Sequence, residues 1–408
     1  MKYWRGYIAA ALFAALTWAL MSFSKAHSVL VDMVYPYVTR LIQTSLSGWV
    51  SGADFCLWQL IVVLLGVVLL ATVVLMVIFR WNFVQWLGWV LAGASFLFML
   101  HTGIYGLNQY AGDLADDVRL NALIDEETGN RLYLDSELVE TTQYLRDIAN
   151  ELATQVPRKS DGTPDYPTFK ELAEMAGEGF DNLVYEKTYS VFAGATDPVK
   201  ELGWADMYTS MGITGVHMPL TGEAAVNPQT PAVAIPFTMC HEMSHRMCIA
   251  IERDANFGAF LACDAHPDPI FRYSGYFMAL RYCYNALVAR NTSATDAAAA
   301  EIYNGMNDQL KQDLAYYREF FAENQDAGAS ELANSANDAY LKTSGSESGT
   351  ASYGEMADLM VSWYVQEIYL PAHKEEDVAF DPENKDQIDL TTPDVVITPT
   401  EEATEGDS

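Results

Sequence analysis

The stretch His241-Glu242-Met243-Ser244-His245 decides how the second half of this chain folds, because its spacing fits a helix that presents a metal site. On a helix, two histidines four residues apart project from one face, so both imidazoles can reach a single metal ion. Glu242 follows the first histidine and can lie beside a metal-bound water as a general base. With only 7 histidines in 408 residues, this HExxH pattern predicts a zinc site that performs hydrolysis.

The predicted site needs a third protein ligand, since catalytic zinc sites commonly combine three ligands with a water. Glu252 is the first choice, although a continuous helix would place it roughly 10 Å beyond His245 along the axis. The helix must therefore break, so that a second helix can return with Glu252. Asp254 and His266 are the alternatives for this position.

The break is predicted between Arg246 and Ile251. Glycine is usual where a break needs a left-handed residue, but Cys248 stands there, at a cost of about 1 kcal/mol. Cys240 and Cys248 could be additional zinc ligands only in a closed structural site, which would leave Glu242 without a role. Disulfides are permitted outside the membrane, but their pairing cannot be read from the sequence.

Charge and hydrophobicity are segregated along the chain. It is 50% hydrophobic with a formal net charge of −31, yet the only acidic residues before Tyr105 are Asp32 and Asp54. This asymmetry predicts a membrane part followed by a soluble acidic part. A nucleic-acid partner is disfavoured, because the chain would repel the phosphate backbone.

Three apolar segments predict transmembrane helices at residues 1–24, 56–80 and 81–103. The first has an uncharged run from Tyr7 to Phe23 behind Lys2 and Arg5, about the minimum spanning length. A signal peptide cleaved near Ser24-Lys25-Ala26 is the alternative. We interpret the segment as an uncleaved span, because two further spans follow.

The positive charges predict the orientation. Lys2, Arg5 and Arg80 would all be cytoplasmic if the first span runs from inside to outside. Residues 25–55 would then form an extracytoplasmic loop with apolar residues at helical spacing, part of which would lie flat on the lipid bilayer. Everything after residue 103 would also be extracytoplasmic.

Residues 106–373 have the length of one globular domain. Their patterning predicts a mainly helical domain, with a small β element in the stretch from Val216 to Asn227. Residues 374–408 contain twelve acidic residues and two lysines, which predicts a disordered acidic tail. The expected fold is therefore mainly α, with three N-terminal transmembrane helices before a mostly helical domain.

Several motifs beyond HExxH resemble, in order, the bacterial family catalogued as domain of unknown function 3810. The resemblance implies a membrane-anchored zinc metallopeptidase with an extracytoplasmic domain. It departs at Cys248, where the family tends to have glycine. The matching pieces are Met218-Pro219-Leu220-Thr221-Gly222-Glu223, Pro236 to Glu242, Glu252 to Phe257, Tyr273-Ser274-Gly275-Tyr276, Ala339-Tyr340-Leu341-Lys342 and Ser352-Tyr353-Gly354.

The run Glu252-Arg253-Asp254-Ala255-Asn256 also resembles the second zinc helix of gluzincin peptidases, including the ImmA/IrrE type. This resemblance implies a zincin-like domain in which Glu252 is the third ligand. Asn256 would then be a polar neighbour that fixes the orientation of a ligand.

The predicted reaction is zinc-assisted hydrolysis of a peptide or protein substrate. Zn²⁺ on His241, His245 and Glu252 would lower the pKa of a bound water and polarise the scissile carbonyl. Glu242 would take the proton of that water and pass it to the leaving amine.

Two further features of the substrate site are predicted. Tyr276 is the candidate donor to the developing oxyanion, with Tyr273, Tyr340 and Tyr353 as alternatives. The stretch from Gly222 to Val226 would offer an edge strand to an extended peptide, which proline at Ala225 would test.

Two other functions are compatible with the same residues. One is a non-catalytic sensor or scaffold of the cell envelope that keeps zinc for folding alone. The other is a hydrolase of envelope material other than protein. The substrate, the cleavage preference and the oligomeric state cannot be read from the sequence.

Overall fold

The computed structural model describes residues 2–121, 123–124, 131–344 and 356–373. Within these ranges the chain is mainly α-helical, with long apolar helices first and a helical domain from Gly106 onwards, as predicted. The predicted acidic tail, residues 374–408, lies outside the described residues. The N-terminal helices are α1 (Arg5–Ala26), α2 (Ser28–Val50), α3 (Leu57–Ile78) and α4 (Phe83–Ile104).

Helices α1, α3 and α4 are each long and apolar enough to span a membrane, which confirms the three predicted spans. Helices α1 and α4 run parallel, since Gly6 meets Gly88 near their N-termini and Phe13 meets Phe96 further along, with ring centroids 5.4 Å apart. The backbones at the two glycines approach so closely that neither position has room for a Cβ atom. The C-terminal ends of α1 and α4 are therefore on the same side, and the helical domain lies on that side.

The segment between the first two spans is helical rather than a loop. Helix α2 covers 23 residues, and His27 separates it from α1 with non-helical dihedral angles (φ −131°, ψ 44°). Its inward side is bonded to the helical domain and to the end of α4. Tyr35 Oη, for example, donates to the carbonyl oxygen of Thr102 at 2.9 Å.

The helical domain is built around α12, which packs against α6, α10, α11 and α16. Their buried apolar side chains form one large core. The helices are α5 (Leu114–Asp117), α6 (Asp135–Ala153), α7 (Phe169–Met175), α8 (Glu178–Tyr185), α9 (Ala205–Ser210), α10 (Ile235–Arg246), α11 (Glu252–Asp264), α12 (Pro269–Ala289), α13 (Ser293–Asn304), α14 (Asp308–Asn324), α15 (Ala327–Ser344), α16 (Met356–Tyr364) and α17 (Leu370–Ala372).

A small sheet provides the predicted β element. Strands β4 (Gly215–Met218) and β5 (Glu223–Val226) form an antiparallel hairpin, and β3 (Lys200–Glu201) pairs with the other side of β5 in parallel. The order is therefore β3-β5-β4, with β5 in the middle. A separate antiparallel pair joins β1 (Leu123–Ile124) to β2 (Arg131–Leu132).

A buried ion pair joins this sheet to the membrane helices. Glu223 on β5 accepts hydrogen bonds from the backbone N–H groups of Leu57 at 2.7 Å and Trp58 at 2.9 Å, so its carboxylate caps the N-terminus of α3. Lys200 Nζ lies 2.8 Å from the same carboxylate and donates to the carbonyl oxygens of Val50 and Phe55 at 2.7 and 3.2 Å. The pair fixes the start of α3 against the helical domain.

Candidate metal centre

Helix α10 carries both motif histidines and is buried on nearly every side. Phe237, Met239 and Met243 lie in the core, and the helix ends at Arg246. Cys248 then adopts the left-handed conformation, with φ +72°, and α11 begins at Glu252. The helix therefore breaks in the predicted interval, and the chain turns back towards the histidines.

The turn brings His241, His245 and Glu252 together into a group that could hold a metal ion. Glu252 Oε2 lies 3.3 Å from His241 Nε2 and 3.5 Å from His245 Nε2. Bonds of about 2.0–2.1 Å in a tetrahedral zinc site place two ligand atoms about 3.3–3.4 Å apart. Both distances from Glu252 are close to this spacing, and all three ligand atoms lie within 4.8 Å of one another. Two imidazole nitrogens and a carboxylate are also a donor set of catalytic zinc sites.

Hydrogen bonding and charge prepare these side chains for a cation. His245 Nδ1 lies 2.8 Å from the carbonyl oxygen of Ile249, so Nδ1–H donates there and Nε2 is the ring nitrogen that faces Glu252. Burial lowers the pKa of His245, but the Glu252 carboxylate outweighs this effect and raises it to about 9. Burial raises the pKa of Glu252, yet the two histidines hold it well below its usual range. Glu252 is consequently an anionic ligand.

Glu242 is buried beside this cluster, with 4% of its surface exposed. Its Oε2 atom has no hydrogen-bond partner among the described residues. Burial raises the pKa of Glu242 to about 7, against the opposing effect of the two histidines. Gly215 on β4 packs directly against the carboxylate, and a Cβ atom there would overlap it. No pattern in the sequence indicated that Gly215 would close this side of the site.

The two alternative third ligands lie elsewhere. Asp254 accepts a hydrogen bond from the backbone N–H of Leu114 at 3.0 Å and pairs with Arg253 at 2.9 Å. His266 stacks on Phe271 with ring centroids 4.0 Å apart, and both of its ring nitrogens have backbone partners. Neither residue belongs to the metal-binding group.

The cysteines also lie outside the metal-binding group. All five are buried free thiols, and none belongs to the cluster found among the described residues. A closed site with Cys240 and Cys248 as additional ligands is therefore not formed.

Tyr276, the predicted oxyanion donor, lies away from the cluster in this structure. Its hydroxyl donates to Asp264 Oδ1 at 2.8 Å. Asp264 ends α11, twelve residues after Glu252, which corresponds to roughly 18 Å along the helix. Tyr273 likewise donates to a carboxylate of the core, Asp313 Oδ2, at 2.6 Å. Of the other tyrosines, Tyr340 belongs to α15 and Tyr353 lies outside the described residues.

Asn256, which the gluzincin resemblance implied as a neighbour of a ligand, is buried one turn after Glu252. Its Oδ1 atom accepts a hydrogen bond from the Tyr282 hydroxyl at 3.3 Å. Its Nδ2 atom has no partner within the described residues. Asn256 therefore lies on the same helix as Glu252, and the only hydrogen bond described for its side chain is the one to Tyr282.

The cluster opens into a cavity of about 680 Å³ that also contains His217, which the sequence analysis missed. His217 Nδ1 lies 3.2 Å from the carbonyl oxygen of Glu223, and its Nε2 is buried without a partner among the described residues. Burial, with the nearby His245 and Arg246, holds the pKa of His217 well below its usual range. The ring is therefore neutral, and Nε2 offers a lone pair to the cavity. The sequence feature that could have indicated His217 is its position, as a histidine, inside the stretch that was predicted to be extended.

The stretch from Gly222 to Val226 is not at an edge of the sheet, whose outer strands are β3 and β4. That stretch contains β5, whose two edges are occupied by β3 and β4, so the predicted edge strand is wrong. Thr214 accepts a hydrogen bond from Asn227 at 2.8 Å, and hydrogen-bonded pairs alternate along an antiparallel ladder. The backbone groups of Gly215 and His217 are therefore directed at the open edge beside the metal-binding cluster.

The end of a membrane helix forms another wall of the cavity. His101, in the last turn of α4, and Tyr105, directly after it, both line the space. The Tyr105 ring packs edge-to-face on His217, with centroids 5.3 Å apart. The cluster therefore lies close to the end of a candidate membrane span.

Comparison with known families gives one match. A family model described as "Protein of unknown function (DUF3810)" matches residues 31–361, which include most of α2, all of α3–α15 and most of α16. No curated protein and no solved structure matches the chain. The family's description assigns no activity, so the function rests on the geometry of the cluster.

Proposed function

The chain belongs to the DUF3810 family, and on that premise we propose that it is a membrane-anchored zinc-dependent metallopeptidase. The observation that carries the proposal is the position of Glu252 Oε2, 3.3 Å from His241 Nε2 and 3.5 Å from His245 Nε2, beside Glu242, whose buried Oε2 has no partner among the described residues. Zn²⁺ bound to these residues would supply a Lewis acid and make water nucleophilic near neutral pH.

Glu242 is the residue of the chain that moves the proton. Its buried Oε2 atom has no competing partner in the described structure, so it is free to accept a proton from water. A buried carboxyl group in this position can take a proton from water and return it to a leaving amine. Gly215 leaves space for the carboxylate on the sheet side of the site.

The substrate is an extended polypeptide that pairs with the free edge of β4. The backbone N–H and C=O groups of Gly215 and His217 are available there for main-chain hydrogen bonds. His217 Nε2 adds an acceptor within the cavity, which suits an N–H group of the substrate. This pairing takes the place of the one predicted for Gly222 to Val226.

In this proposal the helical domain lies outside the cytoplasm. Lys2, Arg5 and Arg80 all lie at the end of the membrane helices opposite this domain, which follows from the parallel arrangement of α1 and α4. Positive residues favour the cytoplasmic side, so the cluster would act on extracytoplasmic polypeptide.

Metal analysis of the purified full-length protein tests the cluster first. We expect about one zinc per chain, lost in His241→Ala and Glu252→Ala and kept in His266→Ala, which removes a histidine outside the group. Circular dichroism checks that each variant is folded. Zinc retained in Glu252→Ala, or no zinc in the folded wild type, would overturn the proposed site.

Cleavage assays then test the reaction. A pool of unstructured peptides and a set of peptidoglycan fragments are incubated with wild type and with Glu242→Gln, and the products are read by mass spectrometry. We expect zinc-dependent peptide cleavage that Glu242→Gln abolishes while keeping its zinc. Cleavage of peptidoglycan alone would make the protein another kind of envelope hydrolase. If neither substrate is cleaved and Glu242→Gln still functions in cells, the zinc serves a sensor or scaffold.

A further inference from the structure

Helix α2 has the reverse of the polarity expected for a helix on the surface of a soluble domain. Its buried residues are Val31, Thr39, Arg40, Gln43 and Ser47, of which four are polar or charged. Its exposed side chains recur every three or four residues and are large and apolar, among them Val29, Leu30, Met33, Val34, Val38 and Leu41. In water, burial of apolar surface would favour the opposite arrangement.

The polar side of α2 is bonded to the helical domain close to the metal-binding cluster. Arg40 donates to the carbonyl oxygens of Met247 and Ser190, both at 3.1 Å. Met247 lies in the turn that returns the chain from α10 to Glu252. Ser47 donates to Asp197 Oδ2 at 2.9 Å. The rotation of α2 about its axis is therefore fixed, and its apolar side must face away from the domain.

The chain path excludes α2 as a fourth span. It begins after α1, which ends on the side of the helical domain. It is followed by α3, whose first N–H groups bond to Glu223 of that domain. Both ends of α2 are thus on the same side of the membrane, and a helix of 23 residues can connect them only by lying along that side.

We propose that α2 lies in the plane of the bilayer interface with its apolar side in lipid, and that it holds the cavity at the membrane surface. The lipid surface is the occupant because α2 is continuous with two candidate spans and because its exposed face is uncharged between Asp32 and Arg40. Asp32 accepts a hydrogen bond from the backbone N–H of Gly112 at 2.8 Å, and Arg40 is directed inward. The lipid-facing side is therefore free of charge, as burial at an interface requires.

Nitroxide labelling of the full-length protein in lipid nanodiscs tests this placement without reference to catalysis. Single cysteines replace Leu30, Val34 and Leu41 in turn, and the buried native thiols leave the new site selectively reactive. Val67→Cys in α3, with Val67 58% exposed, serves as the lipid control, and Tyr185→Cys in α8, with Tyr185 81% exposed, as the aqueous control. Circular dichroism confirms that each labelled variant is folded.

The measurement compares collision with oxygen, which partitions into lipid, with collision with a water-soluble nickel complex. We expect all three α2 sites to match the Val67 control and to lie at similar depths. A spanning helix would instead separate Leu30 from Leu41 by roughly 16 Å of depth. Three outcomes would overturn the proposal. The first is such a gradient in depth, and the second is access of the nickel complex equal to that at Tyr185. The third is protection from both reagents together with spin–spin broadening, which would show that a second copy of the chain covers the helix.

Discussion

The buried pair Lys200–Glu223 offers a sharp test of how the membrane helices are attached to the domain. Their side chains are 8% and 0% exposed, and the carboxylate accepts hydrogen bonds from Lys200 and from the first two N–H groups of α3. Glu223→Gln keeps the shape but removes the charge, leaving a buried ammonium with only carbonyl partners. Breaking one partner of a buried ion pair costs about 3–5 kcal/mol.

The assay is unfolding of the full-length protein in detergent, followed by near-ultraviolet circular dichroism. The expected loss of unfolding free energy corresponds to a fall in the midpoint temperature of thermal unfolding of roughly 6–20 °C for a domain of this size. Lys187→Met is the matched control, because its pair with Glu367 spans 3.4 Å with side chains 54% and 31% exposed. That variant should change the unfolding free energy by at most about 1 kcal/mol.

A double variant separates the ion pair from the individual side chains. Lys200→Met with Glu223→Gln removes both charges, so it should lose less stability than the sum of the two single variants. If Glu223→Gln is no more destabilising than Lys187→Met, the carboxylate is hydrated in solution and does not join α3 to the sheet. Burial of the pair would then contribute nothing measurable to the stability of the protein.

Three further substitutions test the site. Gly215→Ala places a methyl group against the Glu242 carboxylate. Peptide cleavage should therefore fall by roughly a hundredfold while the zinc content stays unchanged. Normal cleavage would show that the carboxylate has space to move. His217→Phe removes the free acceptor in the cavity and should lower kcat/KM about tenfold, chiefly through KM, in a steady-state assay with the cleaved peptide. Tyr276→Phe should leave cleavage intact and cost about 1–2 kcal/mol of stability, because Asp264 loses its donor. Loss of cleavage in a stable Tyr276→Phe protein would restore Tyr276 to the site.

Helices α10 and α11 could be predicted because the spacing of residues within one short stretch of sequence is sufficient to infer them. The spacing of His241 and His245 sets a common helical face, and the axial rise of a helix shows that Glu252 cannot reach that face without a break. Cys248 is the residue of this break that adopts the left-handed conformation. The membrane helices could be predicted for the same reason, since a long uncharged run needs no information about distant contacts.

The walls of the cavity could not be predicted because they depend on contacts between distant segments. An extended stretch predicts a strand, but its pattern does not say which neighbours the strand pairs with, so it cannot distinguish a central strand such as β5 from an edge strand. Tyr276 has the right chemistry for an oxyanion donor. Its position is set by the packing of α12 on α11, which turns its hydroxyl towards Asp264. Only the tertiary arrangement places Gly215 against Glu242.

The same long-range contacts make the membrane region part of the candidate site rather than a simple anchor. Tyr105, which follows the last turn of α4, packs on His217, and Arg40 of α2 holds the carbonyl oxygen of Met247 between the two ligand helices. Without these helices, the turn that returns Glu252 would lose a buried charge-assisted hydrogen bond. The cavity would lose the wall formed by Tyr105. The geometry of the cluster and its position at the end of the membrane helices are therefore determined by the same contacts.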